Sequence, residues 1–126
     1  MPVIWTINAA DNFIDIQLAG TVQEDEFVKF YRGISADKHY RDSLAELWDI
    51  TALQDIGFSL MKAPRISRAY YDARGKALPI RMAVVFNSPY QYALIRQTVS
   101  LSENELIADT FKTREEAIDW LRKLPV

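Results

Sequence analysis

The rhythm of apolar and polar positions changes repeatedly along the chain, and each change marks an element. Residues 3–7 read VIWTI, rich in the β-branched and aromatic side chains that suit a pleated sheet. Residues 13–18 read FIDIQL, with Phe13, Asp15 and Gln17 on one side and Ile14, Ile16 and Leu18 on the other. That period of two predicts a strand with one buried face. Asp11 and Asn12 between the two runs are turn formers, so the pair reads as an antiparallel hairpin. Gly20 is expected to end the second strand. Thr21 with Glu24 three residues on has the spacing of a capping box, and Phe27, Phe30, Tyr31 and Ile34 recur at helical spacing. The pattern predicts a helix over 22–36.

After a polar connection at 37–42, residues 44–50 (LAELWDI) predict a central strand, and 51–59 a loop or single turn containing Gly57. A helix is expected over 60–73, with Pro64 either setting its start near Ala63 or kinking it. Ile66, Ala69, Tyr70 and Ala73 form its apolar side; Lys62, Arg65 and Arg68 point elsewhere, and Arg74-Gly75-Lys76 makes a turn. Residues 80–86 (IRMAVVF) are the most strand-like run. Ser88 then fits a helix N-cap and Pro89 the first helical position, predicting a helix over 89–99. A short strand over 106–111 follows, and Thr113 with Glu116 opens a last helix carrying Ala117, Ile118, Trp120, Leu121 and Leu124. The order is ββαβαβαβα. Strands alternating with helices imply parallel pairing through right-handed crossovers. The expected fold is α/β: one mixed, mainly parallel sheet with an N-terminal β-hairpin and about four helices.

Composition narrows the function classes. A chain of 126 residues, 49% hydrophobic and 25% charged, suits one domain spanning 1–126 with a real core. The absence of cysteine excludes disulfides and thiolate metal sites and fits a reducing cytoplasm. The N-terminus lacks the basic region and unbroken apolar run of a signal peptide, and no segment has the apolar length of a membrane span. A net charge of −2 argues against nucleic acid as a partner. The charge is uneven: residues 59–81 hold six basic residues against one acidic, a net of +5. Lys62, Arg65 and Arg68 would form a stripe facing an acidic protein partner, or a solvated helix face.

Candidate chemistry is sparse. His39, the one histidine, lies in the polar DKHYRD connection with no nucleophile elbow and reads as a solvent-facing residue. Asp49 inside the central strand reads as a buried acid, or as a surface residue capping a neighbouring loop. GKALPIR lacks the glycine spacing of a phosphate loop. Neither a cofactor nor a metal is expected, and no catalytic residue is assigned. Ligands in open α/β sheets sit beyond the carboxyl ends of the strands, which selects Thr51, Asp55, Asn87, Ser88 and Thr110 as rim residues. Capping and turn formation account for Ser88 and Thr51 equally well.

Several segments together resemble the SpoIIAA-like proteins of the broader STAS and SEC14-like group. They are the hairpin ending in GTVQEDEF, the strand LWDIT, RMAVVF followed by SPYQYALIRQ, and the closing DTFKTREEAIDWLRKL. The resemblance implies the α/β fold above and a non-catalytic protein-interaction or regulatory role. STAS domains of the anti-sigma-factor antagonist system carry a phosphorylatable serine in an Asp-Ser-Ser/Thr-Gly loop. The comparable segment here is Asp55-Ile56-Gly57-Phe58, with Ile56 and Gly57 at the hydroxyl positions. This argues against a kinase-driven switch. Two other classes stay open: a carrier of a small apolar or acidic ligand, and an enzyme of unknown class. An apolar pocket of several hundred Å³ would favour the ligand class. A closed interior with a large exposed apolar patch would favour protein interaction.

Overall fold

The computed structural model describes residues 2–59, 63–101 and 105–123. Five strands form one sheet in sequential order: β1 (Val3–Asn8), β2 (Phe13–Val22), β3 (Ala45–Ile56), β4 (Ile80–Val85) and β5 (Leu106–Phe111). β1 and β2 are antiparallel, and every later pair is parallel. The helices are α1 (Glu24–Ser35), α2 (Pro64–Arg74), α3 (Pro89–Leu101) and α4 (Arg114–Lys123). The expected fold class and element order are therefore those observed. Right-handed crossovers between strands taken in sequence put α1, α2 and α3 on one face. There Ile14, Ile16, Leu18, Trp48, Ile50, Met82 and Val84 pack against Phe30, Ile34, Ala69 and Ile95. The chain then returns across β5, and α4 covers the other face through Ala117 and Leu121 on Phe13, Leu47, Ala83 and Val85.

Three expectations need correction. Gly20 does not end β2. It adopts φ +64° at a register shift, and the strand continues to Val22. A glycine reaches that conformation without strain and makes a bulge where another residue would resist. The cap of α1 is Gln23, not Thr21. Glu26 accepts from the Gln23 backbone N–H at 2.9 Å while the Gln23 side chain serves the first turn. Residues 51–56 are strand, not loop: they pair with Ala19–Val22 as far as Val22 opposite Ile56. α2 starts at Pro64, in the first turn, so the proline neither kinks nor breaks it. The expected start at residue 60 and Leu124 in the last helix lie outside the described residues.

Candidate functional site

The two ladders of β3 have different lengths. On the β2 side pairing runs to Ile56, but on the β4 side it stops where Asp49 meets Val85. The last residues of β3 thus project beyond β4 with open backbone groups on that side. Where α3 packs over them, around the buried Leu53, they cannot be left unsatisfied. The first turn of α3 supplies the partners. Gln91, 3% exposed, donates through Nε2 to the Thr51 carbonyl at 3.2 Å and the Leu53 carbonyl at 3.0 Å. Its Oε1 accepts from the Asn87 N–H at 2.7 Å. Ser88 Oγ caps the helix by accepting from the Gln91 N–H at 3.2 Å. Tyr90 donates its hydroxyl to Asp55 Oδ1 at 2.7 Å and accepts from the Ile56 N–H at 3.3 Å. Partial burial and the Asp55 carboxylate both push the Tyr90 phenol up from its usual pKa.

Thr51, Asp55, Asn87 and Ser88 are therefore gathered at one rim, as the strand-end rule selects. The side chains of Thr51, Asp55 and Ser88 are already engaged, whereas Asn87 is bonded through its backbone N–H. Thr51 Oγ1 donates to Asp49 Oδ1 at 2.7 Å, and Asp49 Oδ2 accepts from Arg114 at 3.2 Å. Asp49 is thus an ion-pair and turn residue on the α4 face. Gln91 and Tyr90 organise the rim and were missed by sequence reasoning. The available signal was a glutamine on the inward side of a helix whose cap had been identified.

Behind this rim lies an apolar cavity of about 170 Å³. Its floor is the sheet (Trp48, Ile50, Met82, Val84), and Phe27 and Tyr31 of α1, Ile66 of α2 and Leu94 and Ile95 of α3 make its walls. Phe58 at its mouth packs edge-on against Phe27, with ring centroids 5.6 Å apart. The polar side chains among its lining are Tyr31 and Thr98, and Thr98 Oγ1 donates to its own helix at Leu94 O. Burial, then the nearby Glu46 charge, hold the Tyr31 phenol well above its usual pKa. Among the described residues the wall carries no group to neutralise a charged ligand. The rim outside is aromatic: Tyr90 is 41% and Tyr92 38% exposed, Tyr92 packs on Phe86, and the Lys112 ammonium stands over the Phe86 ring.

The basic segment is dispersed. Lys62 lies outside the described residues. Arg65 is paired with Asp25 of α1 at 2.7 Å, and Arg81 donates to the Ser43 carbonyl at 2.8 Å. Arg74 is fully buried, bonding Glu46 Oε2 at 3.0 Å, Tyr40 OH at 3.0 Å and the Leu44 carbonyl. Burial alone would lower its pKa, but Glu46 and Tyr40 outweigh this and hold it charged. Arg68 and Lys76 are exposed. His39 is exposed in its connection, its backbone N–H donating to Asp37 Oδ1 at 2.8 Å. Among the described residues no cluster of three metal-ligating side chains occurs, and no helix is long and apolar enough to cross a membrane.

No family model matches the chain, and no curated protein matches it in sequence. Solved structures do match its architecture. One is an uncharacterised protein of the DUF3478 family with a SpoIIAA-like fold from Shewanella loihica PV-4. It is 19% identical over 94% of this chain and 91% of that one, with a TM-score of 0.61. Another is the anti-sigma factor antagonist SpoIIAA in its unphosphorylated form. It is 14% identical over 97% of this chain and 99% of that one, with a TM-score of 0.63. The fold is thus SpoIIAA-like along nearly the whole chain.

Proposed function

We propose that this chain is a non-catalytic regulatory module that acts by binding a protein partner at the α3 rim. The observation that carries this reading is the pair of exposed tyrosines in the first turn of α3, Tyr90 bonded to Asp55 and Tyr92 packed on the half-buried Phe86, at the strand end of a fold shared with an anti-sigma factor antagonist. Tyrosines fixed at one end by packing and wet at the other are favoured interface anchors. With Ile56 and Gly57 at the hydroxyl positions of the resembled loop, binding is set by occupancy of the rim and not by phosphorylation of that loop. Arg65 and Arg74 are already paired, and Lys76 follows α2 toward the closed end of β3, so of the exposed basic side chains in this segment Arg68 is the one left to an acidic partner. The cysteine-free composition suits a cytoplasmic setting. The test is affinity for a partner isolated from the source cells, measured by calorimetry with purified components. Replacing Tyr90 and Tyr92 by alanine is expected to weaken binding by about 100-fold, the scale of losing hot-spot residues. Unchanged affinity in the folded double variant overturns the reading.

The cavity favours a second reading, a carrier or sensor of a small uncharged apolar molecule. An apolar void of about 150 Å³ stays dry and accommodates a benzene-sized ligand. This cavity, about 170 Å³, is of that size, smaller than a drug-sized site, and its lining among the described residues suits an uncharged ligand over an acidic one. Native mass spectrometry of protein purified from its own cells tests it. A small apolar molecule retained at one per chain, with no protein partner, would put this reading first.

A further inference from the structure

An open sheet has two edges, and in this molecule they differ. On β5, the Ile80 N–H donates to Glu105 O at 2.7 Å and the Phe86 N–H to Phe111 O at 3.1 Å. Odd-numbered residues of β5 therefore bond inward, and Leu106, Ala108 and Thr110 present their backbone groups outward. That edge is guarded: the outward Thr110 N–H is taken by Asp109 Oδ1 at 2.8 Å, and Asp109 adds a charge. On β1, the Ala19 N–H donates to Pro2 O at 2.9 Å, and Val3 stands opposite Leu18. Antiparallel alternation then turns Ile4, Thr6 and Asn8 toward β2 and the backbone groups of Val3, Trp5 and Ile7 outward. Among the described residues nothing accepts those three N–H groups. The strand VIWTIN carries no charge and no proline, and Ile4 is 52% exposed. Natural edges of this kind are blunted unless they are used.

We propose that the β1 edge pairs with β1 of a second copy of this chain, antiparallel about a two-fold axis through Trp5. The outward phase permits it without adjustment. Trp5 meets Trp5 of the other copy and Val3 meets Ile7 as hydrogen-bonded pairs, giving six backbone bonds, and Ile4 meets Thr6 between them. Above the axis lies α1. A Cβ on Gly33 would come 3.1 Å from the Trp5 ring, so the Gly33 side of the helix looks onto that residue. Lys29 lies one turn before Gly33 and shares that side, and Asp37 follows two residues beyond the end of the helix, its N–H returning to Ile34 O. The same axis sets the two α1 helices antiparallel, with Lys29 of each copy opposite Asp37 of the other. Lys29 is exposed and forms no ion pair among the described residues. The complementary charges select a second copy over an unrelated strand.

The experiment combines mass by light scattering with cross-linking. The unmodified protein at about 100 µM should run as a dimer, a concentration at which micromolar association is nearly complete. A monomer there overturns the proposal. The double variant I4C/T6C places cysteines in a non-hydrogen-bonded antiparallel pair, whose Cα spacing of about 4.5 Å suits a disulfide. With no native cysteine, mild oxidation should give a covalent dimer. A dimer that fails to cross-link overturns the assigned edge. Lys29→Asp should weaken the dimer by about tenfold through two symmetric like-charge contacts, and adding Asp37→Lys should restore it. Equal weakening in the single and the swapped variant overturns the assigned register.

Discussion

The two ends of β3 solve the same problem in opposite ways. At its start, Glu46 and Arg74 are both fully buried, and their bonds are met by one another, by Trp48 Nε1 at 2.7 Å and by Tyr40. β4 completes the ladder there, and α2 closes over it. At its end, the ladder to β4 is missing, side chains of α3 stand in for a strand, and a cavity remains behind them. One end is a closed charged core; the other is a surface held together by a glutamine and a tyrosine. Loss of a strand partner exposes both backbone and apolar floor to whatever α3 does not cover. A binding surface arises there without any catalytic residue.

The largest effect should come from unpairing the closed end. Arg74→Met leaves the Glu46 carboxylate buried without a cation and should cost about 3–5 kcal/mol in denaturant unfolding. Adding Glu46→Leu should recover most of that loss, since an apolar pair of similar volume replaces a buried ion pair with little penalty. A double variant no more stable than the single one would mean that the remaining bonds of Arg74, to Tyr40 and Leu44, carry the site. Next in size, Gln91→Leu strips two strand carbonyls and the Asn87 N–H of their partner and should cost about 1–3 kcal/mol. Hydrogen exchange should quicken at residues 51–56 and remain slow at 45–49. Uniform quickening along β3 would erase the distinction between its ends.

This division also explains what was legible. β5 was read to its observed bounds, and Ser88-Pro89 located the start of α3, because local periodicity and cap chemistry decide both. The pattern at 51–59 predicts a loop or single turn, and the strand character of 51–56 depends on pairing with distant β2 across the bulge at Gly20. Arg74 was read as a turn residue within a basic segment. Its burial depends on Glu46, 28 residues away in sequence, which sits inside a strand and carries no local mark. The rim residues were selected by a rule about strand ends. Gln91 and Tyr90, which organise them, act through the absence of a ladder, and no window of sequence displays that absence.

Between the ends stands Tyr70, whose hydroxyl is buried with no hydrogen-bond partner among the described residues. Its ring packs edge-on against Tyr31, with centroids 5.5 Å apart. Tyr70→Phe removes an unsatisfied polar atom and keeps the packing, so it should stabilise the protein by about 1 kcal/mol at neutral pH. Burial first, then the Glu46 charge, raise both phenols above their usual pKa. The folded state then holds those protons more tightly than the unfolded chain. Stability is full below the ordinary tyrosine pKa of about 10 and falls as pH rises through the folded values. Tyr70→Phe should flatten part of that alkaline decline, read from unfolding midpoints between neutral pH and about 11. An unchanged slope would assign the decline to Tyr31 and the other phenols with raised pKa, Tyr40, Tyr71 and Tyr90.

The smallest change in stability is expected at Tyr90, and it is the one that separates the two ends by role. Its hydroxyl holds Asp55 at 2.7 Å and the Ile56 N–H at 3.3 Å, but the residue is 41% exposed, so water can replace both bonds. Tyr90→Phe should therefore cost no more than about 0.5–1 kcal/mol, the net worth of an accessible hydrogen bond. The ring itself is kept, so the apolar part of the surface is unchanged. What is lost is the tie between α3 and the end of β3, which sets where Asp55 and the following Gly57-Phe58 segment stand. A rim that binds by preorganised aromatic contacts should lose affinity for its partner by more than the stability loss implies, about tenfold or beyond. Comparing the unfolding free energy of Tyr90→Phe with its affinity by calorimetry makes the measurement direct. If both fall by the same small amount, Tyr90 only supports the fold. If affinity falls while stability holds, the open end of β3 is the working end of the molecule.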